Sequence, residues 1–131
     1  MNKVKNIERP SRVFISELLE IVTKTLSDKQ AEDMTIIDMH AVNPFTDYFV
    51  ICTAKNMRHA GTMADYIKQE AEKNGYELRT VEGDRNSSWI LADFNEVVVH
   101  IFTPEARKQY RLESLWADQP QTTIAEPKVA I

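Results

Sequence analysis

Residues 43–59 read NPFTDYFVICTAKNMRH, and this stretch predicts the type of fold. Asn43-Pro44 marks a turn, because proline has a fixed φ and no backbone N–H. Residues 47–54 are almost continuously apolar, which is typical of a strand covered on both faces. The polar run that ends at His59 then leads into a helix. A buried strand followed by a helix predicts layers of helices packed on a sheet.

The helix after this strand is predicted from about Asn56 to Asn74-Gly75, since glycine commonly follows a helix C-terminus. Its inward stripe has spacings of three and four and consists mostly of small residues: Ala60, Met63, Ala64, Ile67 and Ala71. Small side chains allow the helix to lie close to the sheet. The next strand is expected in YELRTVEG (76–83), so the three elements predict a right-handed crossover.

The remaining segments complete an α/β prediction. Apolar residues at helical spacing predict a first helix over residues 11–31, with Ser11 as its N-cap, and MTIIDMHAV (34–42) predicts a strand. SSWILADF and EVVVHIF predict a hairpin, and Pro104 opens a last helix. We therefore expect a single domain over residues 11–118, a mixed β-sheet of about five strands flanked by helices. Residues 1–10 are predicted to be an N-terminal arm and 119–131 a disordered tail.

Composition limits the possible functions. The chain has 131 residues and a net charge of -4 with its three histidines counted neutral, so it lacks the cationic field that binds nucleic-acid backbones. An acidic protein is better suited to a basic protein partner or a small ligand. Cys52 is the single cysteine and cannot form an internal disulfide, which favours a reducing, cytoplasmic setting. The sequence shows neither a membrane span nor a signal peptide.

The predicted hairpin divides its side chains between two faces. A two-residue turn at Phe94-Asn95 would place Trp89 opposite His100. One face is then apolar and should be core: Ser88, Ile90, Ala92, Val97, Val99 and Ile101. The other face mixes aromatic, aliphatic and charged groups: Trp89, Leu91, Asp93, Glu96, Val98, His100 and Phe102. Two interpretations stay open: a partner-binding patch, or a face covered by the last helix with Trp89 in the core.

Motifs for catalysis or metal binding are absent from the sequence. Asp47, His59, Asp93 and His100 are the candidate acid–base or metal ligands, but their spacing matches no known motif. We predict neither enzymatic activity nor a cofactor. An alternative is a nucleotide- or phosphate-binding site at TAKN, because this loop leads to a helix N-terminus near Arg58. The loop has no glycine and lacks the Walker pattern.

Several segments together resemble the ribosomal silencing factor family, also called the Iojap-related proteins. They occur in the family's order over about residues 11–118: TDYFVICTA, RHAGTMADYI, VEGDRNSSWILADF and EVVVHIFTPEARKQYRLESLW, then AD. The resemblance implies an α/β sandwich distantly similar to nucleotidyltransferases, without catalysis. It also implies binding to the large ribosomal subunit through a basic interface protein, number fourteen in the large-subunit series. Such binding would block joining of the small subunit and repress translation when nutrients are short.

The resemblance also implies which residues bind the partner. Trp89 matches the family tryptophan of the binding surface, and the other matching positions are Asp93, His100, Asp47, Tyr48, Arg58, His59, Leu115 and Trp116. The family often has glycine in the hairpin turn, where this chain has Phe94-Asn95. Little direct contact with nucleic acid is expected. A homodimer through the Trp89 face is a further possibility.

Overall fold

The computed structural model describes residues 16–124, which form a six-stranded mixed sheet with helices on both faces. The predicted cap Ser11 lies outside the described residues, as do the arm and residues 125–131. In chain order the elements are α1 (Glu17–Asp28), β1 (Glu32–Asp38), β2 (Tyr48–Thr53), α2 (Met57–Lys73), β3 (Thr80–Glu82), β4 (Trp89–Asp93), β5 (Val97–Phe102), α3 (Pro104–Tyr110), α4 (Leu112–Leu115) and β6 (Gln121–Ile124). The predicted α/β class is confirmed, with one strand more than expected.

The strand order in the sheet is β3-β4-β5-β2-β1-β6. The central strands β2 and β5 pair in parallel, and every other neighbouring pair is antiparallel. Strands β2 and β3 therefore run in the same direction, as the predicted crossover through α2 requires. Strand β2 lies in the middle of the sheet and is buried along most of its length, as its apolar sequence predicts.

The first face of the sheet is covered by α1 and α2, which pack against each other and on the strands. A side chain caps the N-terminus of each helix: Ser16 Oγ accepts from Leu19 N–H, and Asn56 Oδ1 accepts from His59 N–H. Asn74 ends α2, and Gly75 follows with φ +87°, the left-handed conformation that favours glycine. The predicted inward stripe of α2 is confirmed, since all its residues belong to or pack on this core.

The second face has a smaller cluster, in which the short helices α3 and α4 cover only part of the sheet. Its buried residues are Ile37, Met39, Ile51, Phe102, Ala106 and Leu112. Three larger rings pack on it while staying partly exposed: Phe49, Trp89 and Trp116. This incomplete cover leaves an aromatic surface on a rigid sheet.

The hairpin register differs from the prediction by two residues. Trp89 pairs with Phe102, and the turn residues are Asn95-Glu96 because the buried Phe94 joins the ladder. Asn95 adopts φ +80°, so it is the residue that makes the turn. A slip of two residues leaves each paired side chain on its predicted face, and the division into an apolar and a mixed face is confirmed. Ser88 is the exception, since it precedes β4 and is exposed rather than in the core.

The tail also differs from the prediction. Gln121–Ile124 are not disordered but form an edge strand antiparallel to β1. Two adjacent threonines and an isoleucine favour extended backbone, and the edge of β1 supplies the hydrogen-bonding partners. Two predicted strands are shorter than expected, since β1 ends at Asp38 and β3 comprises only Thr80–Glu82. Among the described helices, none is long and apolar enough to cross a membrane.

Candidate functional site

The candidate site is the aromatic face, which we define as Phe49, Trp89, His100, Phe102, Tyr110 and Trp116. Its rings form a continuous series of edge and tilted contacts. The Trp89 ring centroid lies 4.8 Å from those of Phe102 and Tyr110 and 5.9 Å from that of His100. Phe49 extends the series, at 4.8 Å from His100 and 6.1 Å from Trp116. Four of these rings, those of Phe49, Trp89, His100 and Phe102, come from three adjacent strands, which fix their relative positions.

A hydrogen bond between Trp89 and His100 orders the centre of this face. Trp89 Nε1 lies 3.2 Å from His100 Nδ1, and an indole N–H can only donate. His100 Nδ1 is therefore the acceptor, and in the neutral ring the hydrogen lies on Nε2. The side chain of His100 is on the predicted face but is only 4% exposed.

Burial keeps this histidine neutral. Desolvation lowers the pKa of His100 from 6.5 to about 4, because the imidazolium ion would lose its hydration inside the aromatic face. Protonation of Nδ1 would also remove the acceptor of the Trp89 hydrogen bond. At neutral pH the centre of the face is thus uncharged.

Helices α3 and α4 are held over the sheet by Arg107. Its Nε donates to Glu113 Oε2 at 3.0 Å, and its Nη1 donates to Thr53 Oγ1 at 2.9 Å. Arg111 adopts a left-handed conformation with φ +47°, which separates α3 from α4 and turns the chain. This geometry places Trp116 on Phe49 and leaves Leu115, the residue before it, 73% exposed.

The tail strand fixes the same region from the other side. Gln121 Nε2 donates to the backbone carbonyls of Glu113 and Trp116, at 2.9 and 3.0 Å. The position of Trp116 therefore depends on β6, a strand that the sequence analysis did not predict. Phe49, Tyr110, Arg107 and Gln121 were all missed as site residues, although Phe49 has the strand parity that places it on the second face.

Two of the predicted acidic residues lie at one end of the sheet. Asp47 precedes β2 and Asp93 ends β4, and both are half-buried. Asp47 Oδ1 is 3.2 Å from His40 Nε2, and Asp93 Oδ1 accepts from Asn95 N–H at 2.7 Å. Tyr48 begins β2 but faces the first core and is only 6% exposed. Burial excludes Tyr48 from direct contact with a partner in this conformation.

Arg58 and His59 lie at the opposite end of β2, at the start of α2, and do not join the aromatic face. Arg58 is exposed. The His59 ring bridges two segments: Nδ1 accepts from Lys55 N–H at 2.9 Å, and Nε2 lies 2.7 Å from the carbonyl of Lys29. Both ring nitrogens are thus used inside the molecule, which makes His59 a structural residue here.

The helix start was the predicted alternative, a phosphate or nucleotide site. A shallow groove of about 360 Å³ lies beside it, lined by Lys55, Asn56, Met57, Ser88, Thr103, Glu105, Ala106 and Gln109. The backbone N–H groups of Lys55 and His59 are already bonded inside the loop, and Lys55 Nζ donates to Gln30. Glu105 adds a negative charge. This donor set does not favour a phosphate.

We next consider whether the described residues provide a cysteine nucleophile or a metal site. Cys52 is buried in β2, and burial raises the pKa of its thiol to about 12, so the thiolate is strongly disfavoured. Within residues 16–124, no group of three His, Cys, Asp or Glu side chains is arranged to hold a metal ion. The distinctive feature of the described surface is therefore the aromatic face.

Comparisons with known proteins identify relatives over nearly the whole chain. A family model described as "Ribosomal silencing factor during starvation" matches residues 14–130, which extends past the predicted domain end at Asp118. A ribosomal silencing factor from Bacillus subtilis is 37% identical over 103 residues, covering 79% of this chain and 87% of that protein. A mouse protein named mitochondrial assembly of ribosomal large subunit protein 1 is 29% identical, covering 75% of this chain and 44% of that protein.

Solved structures give the same picture for the fold. A crystal structure from Bacillus halodurans has a TM-score of 0.72 at 31% identity, covering 82% of this chain and 98% of that chain. One from Chromobacterium violaceum has a TM-score of 0.74 at 23% identity, covering 84% of this chain and 92% of that chain. The architecture described above is therefore shared with experimentally determined folds.

Proposed function

The chain belongs to the ribosomal silencing factor family, and from this premise we propose that its aromatic face docks on the large ribosomal subunit. The proposed contact is a basic ribosomal protein at the subunit interface, the one numbered fourteen in the large-subunit series. Occupation of that surface sterically blocks joining of the small subunit and represses translation under nutrient limitation. The protein acts in the cytoplasm, as a binding factor rather than an enzyme.

The observation that carries the proposal is the incomplete cover of the second face. Phe49, Trp89 and Trp116 are partly exposed there, beside the largely exposed Leu115. Tyrosine and tryptophan are enriched at binding hot spots, because they bury a large area with few rotatable bonds. The sheet holds the backbone of β2 and β4, which carry Phe49 and Trp89, in position before binding, so little backbone entropy is lost when a partner arrives.

Charge supports a basic partner. The chain carries a net charge of -4, and Asp47 and Asp93 lie at the end of the strands that carry the aromatic face. Complementary charge speeds the encounter and rejects acidic partners, while the aromatic contacts supply most of the affinity. Direct binding to ribosomal RNA contributes little, since the phosphates would be repelled.

The proposed partner-binding residues divide into three groups and one outlying residue. Trp89, Leu115 and Trp116 make the central contact, and His100 supports it from below. Asp47 and Asp93 flank the contact and complement a basic surface. Tyr48 and His59 act through the fold, since the first is buried and the second is bonded internally. Arg58 is exposed at the other end of β2, where only an extended partner could reach it.

Sedimentation of purified large and small subunits, with and without this protein and across a range of salt, tests the proposal. We expect the protein to migrate with large subunits and to reduce the fraction of joined ribosomes. Weaker binding at high salt would match electrostatic steering. Absence of binding at every salt concentration would overturn the proposal. A homodimer through the same face would compete with docking and would be detected as a heavier species in the protein-only sample.

A further inference from the structure

Three polar atoms of the second face are buried without a hydrogen-bond partner within residues 16–124: His100 Nε2, Trp116 Nε1 and Glu113 Oε1. Buried polar groups in folded proteins are almost always paired, so such atoms call for an explanation. Two of the three belong to the aromatic face, and they are both donors. His100 Nε2 carries the hydrogen because Nδ1 accepts from Trp89, and the Trp116 indole N–H can only donate.

The rings that carry the two donors both contact Phe49. Its ring contacts the His100 ring at 4.8 Å and the Trp116 ring at 6.1 Å. A buried donor left unpaired destabilises the free protein, and an acceptor brought by a partner would recover that free energy on binding.

The charge of this region narrows the choice of acceptor. Glu113 lies on the same side of the sheet, with one carboxylate oxygen bonded to Arg107 and the other unpaired. Asp93 ends the strand that carries Trp89, and the chain as a whole is acidic. A carboxylate or phosphate would meet repulsion here, whereas a main-chain carbonyl oxygen would not. Glu113 Oε1 remains available as an acceptor for an N–H group of a basic partner.

We propose that the aromatic face recognises an extended backbone segment of its protein partner, whose carbonyl oxygens accept hydrogen bonds from His100 Nε2–H and Trp116 Nε1–H. Both donors are closed to solvent in the free protein, so the partly exposed Phe49 ring turns aside as the segment arrives. Such side-chain rotation is fast compared with association. The inference rests on the proposed function and specifies the chemistry of its contact.

Two substitutions remove these donors, each with some loss of ring packing. In His100→Asn the side-chain amide oxygen takes the place of Nδ1 and still accepts from Trp89, but the Nε2–H donor is lost. Trp116→Phe keeps an aromatic ring but removes the indole N–H together with part of the bicyclic ring that packs near Phe49. We expect each variant to bind salt-washed large subunits about tenfold more weakly. This is the effect of losing one hydrogen bond and leaving the partner's carbonyl oxygen without a donor. His100→Gln, whose amide nitrogen lies near the position of Nε2, should recover part of the affinity.

Three further readouts distinguish recognition from a structural role. The melting temperature of free Trp116→Phe should fall only by the packing that the smaller ring loses, because the deleted N–H has no partner in the free protein. The loss of affinity should be the same at every salt concentration, because no charge is removed. Tyr66→Phe, which deletes a polar group from an aromatic residue on α2, is the matched control and should bind normally.

The outcomes separate the two proposals. Wild-type binding together with full affinity of His100→Asn and Trp116→Phe would overturn this inference and leave the proposed function standing. Wild-type protein that fails to bind large subunits would overturn both. A loss of affinity accompanied by an equal loss of folded stability would also overturn the inference, since both side chains would then be structural.

Discussion

The two faces of the sheet differ in how they are covered. The first is packed by two long helices with small and aliphatic side chains, and its core residues are closed to solvent. The second is packed by two short helices over a row of aromatic rings, three of which remain partly exposed. The unpartnered polar atoms of the described chain all lie on the second side. Most of the buried core lies on one face, and the proposed binding surface lies on the other.

The difference has a physical basis in the lengths of the covering segments. α2 extends over Met57–Lys73, whereas α3 ends at Tyr110 and α4 contains only Leu112–Leu115. A short helix buries little area, so α3 and α4 depend on Arg107 and Gln121 for their position. Regions with few buried contacts open more readily than the core, which suits a surface that must adapt to a partner.

The largest expected effect is on the first face. Ile67→Ala removes a fully buried side chain from α2 and should lower the free energy of unfolding by about 2–5 kcal/mol. Urea denaturation measures the change, and the folded variant should keep its affinity for large subunits. Lys68→Ala, at the exposed neighbouring position, should change stability by less than about 0.5 kcal/mol. Equal effects of the two substitutions would contradict the assignment of this face as the main core.

The next effect is a dependence on pH that belongs to the second face. The pKa of His100 is about 4 in the folded protein and 6.5 when exposed, so the unfolded chain binds the proton more tightly. The contribution of His100 to the free energy of unfolding is therefore fully present above pH 6.5. It falls as the pH drops toward 4, by about 3 kcal/mol in all.

Unfolding of wild type and His100→Asn, compared across this range, isolates the contribution of His100 from that of the carboxylates. The difference in the free energy of unfolding between wild type and His100→Asn should become smaller at low pH, or the variant should become the more stable protein. A difference that does not vary with pH would show that His100 does not titrate on unfolding as its burial requires.

The third effect is on binding. Trp89→Ala should weaken binding to large subunits by about 2 kcal/mol or more, as for a central hot spot, while the fold stays intact. Sedimentation titrations measure the affinity, and circular dichroism checks the fold. Phe45→Ala is the matched control, because Phe45 is 74% exposed but lies in the loop before β2, away from the aromatic face. Normal affinity of folded Trp89→Ala would rule out Trp89 as the anchor.

The smallest effect compares the helix caps of the two faces. Asn56 caps α2 and Thr103 caps α3, and loss of either cap should cost about 1 kcal/mol. In Asn56→Ala the loss should appear in global unfolding, since α2 belongs to the main core. In Thr103→Ala, hydrogen exchange should increase first in α3 and α4. Uniform exchange across the molecule in both variants would mean that the two faces open as one unit.

Much of the fold could be predicted from local sequence signals. The caps and ends of α2 follow from Asn56 and Asn74-Gly75, and alternation along the hairpin predicts its two faces. The turn position could not be predicted, because it depends on the burial of Phe94 in the tertiary core. Strand β6 was missed because its hydrogen bonds go to β1, far away in the chain.

The candidate site was predictable only in part. Trp89, His100 and Trp116 were identified through the family resemblance, and the structure brings them to one face. Sequence could not reveal that His100 is buried with one nitrogen unpaired, since this depends on rings from three other segments. Tyr48 and His59 match the family pattern equally well, yet their contacts lie inside the molecule.

The parallel pairing of β2 with β5 has a consequence for synthesis. Tyr48 pairs with Val97 and Thr53 with Phe102, so the centre of the sheet cannot form until residue 102 has been made. The edge strand β6 needs residue 124 as well. Contacts between distant parts of a chain slow folding, and here they delay closure of the sheet until residues 102 and 124 have left the exit tunnel. The aromatic face takes rings from both β2 and β5, so it would assemble only after its two central strands can meet.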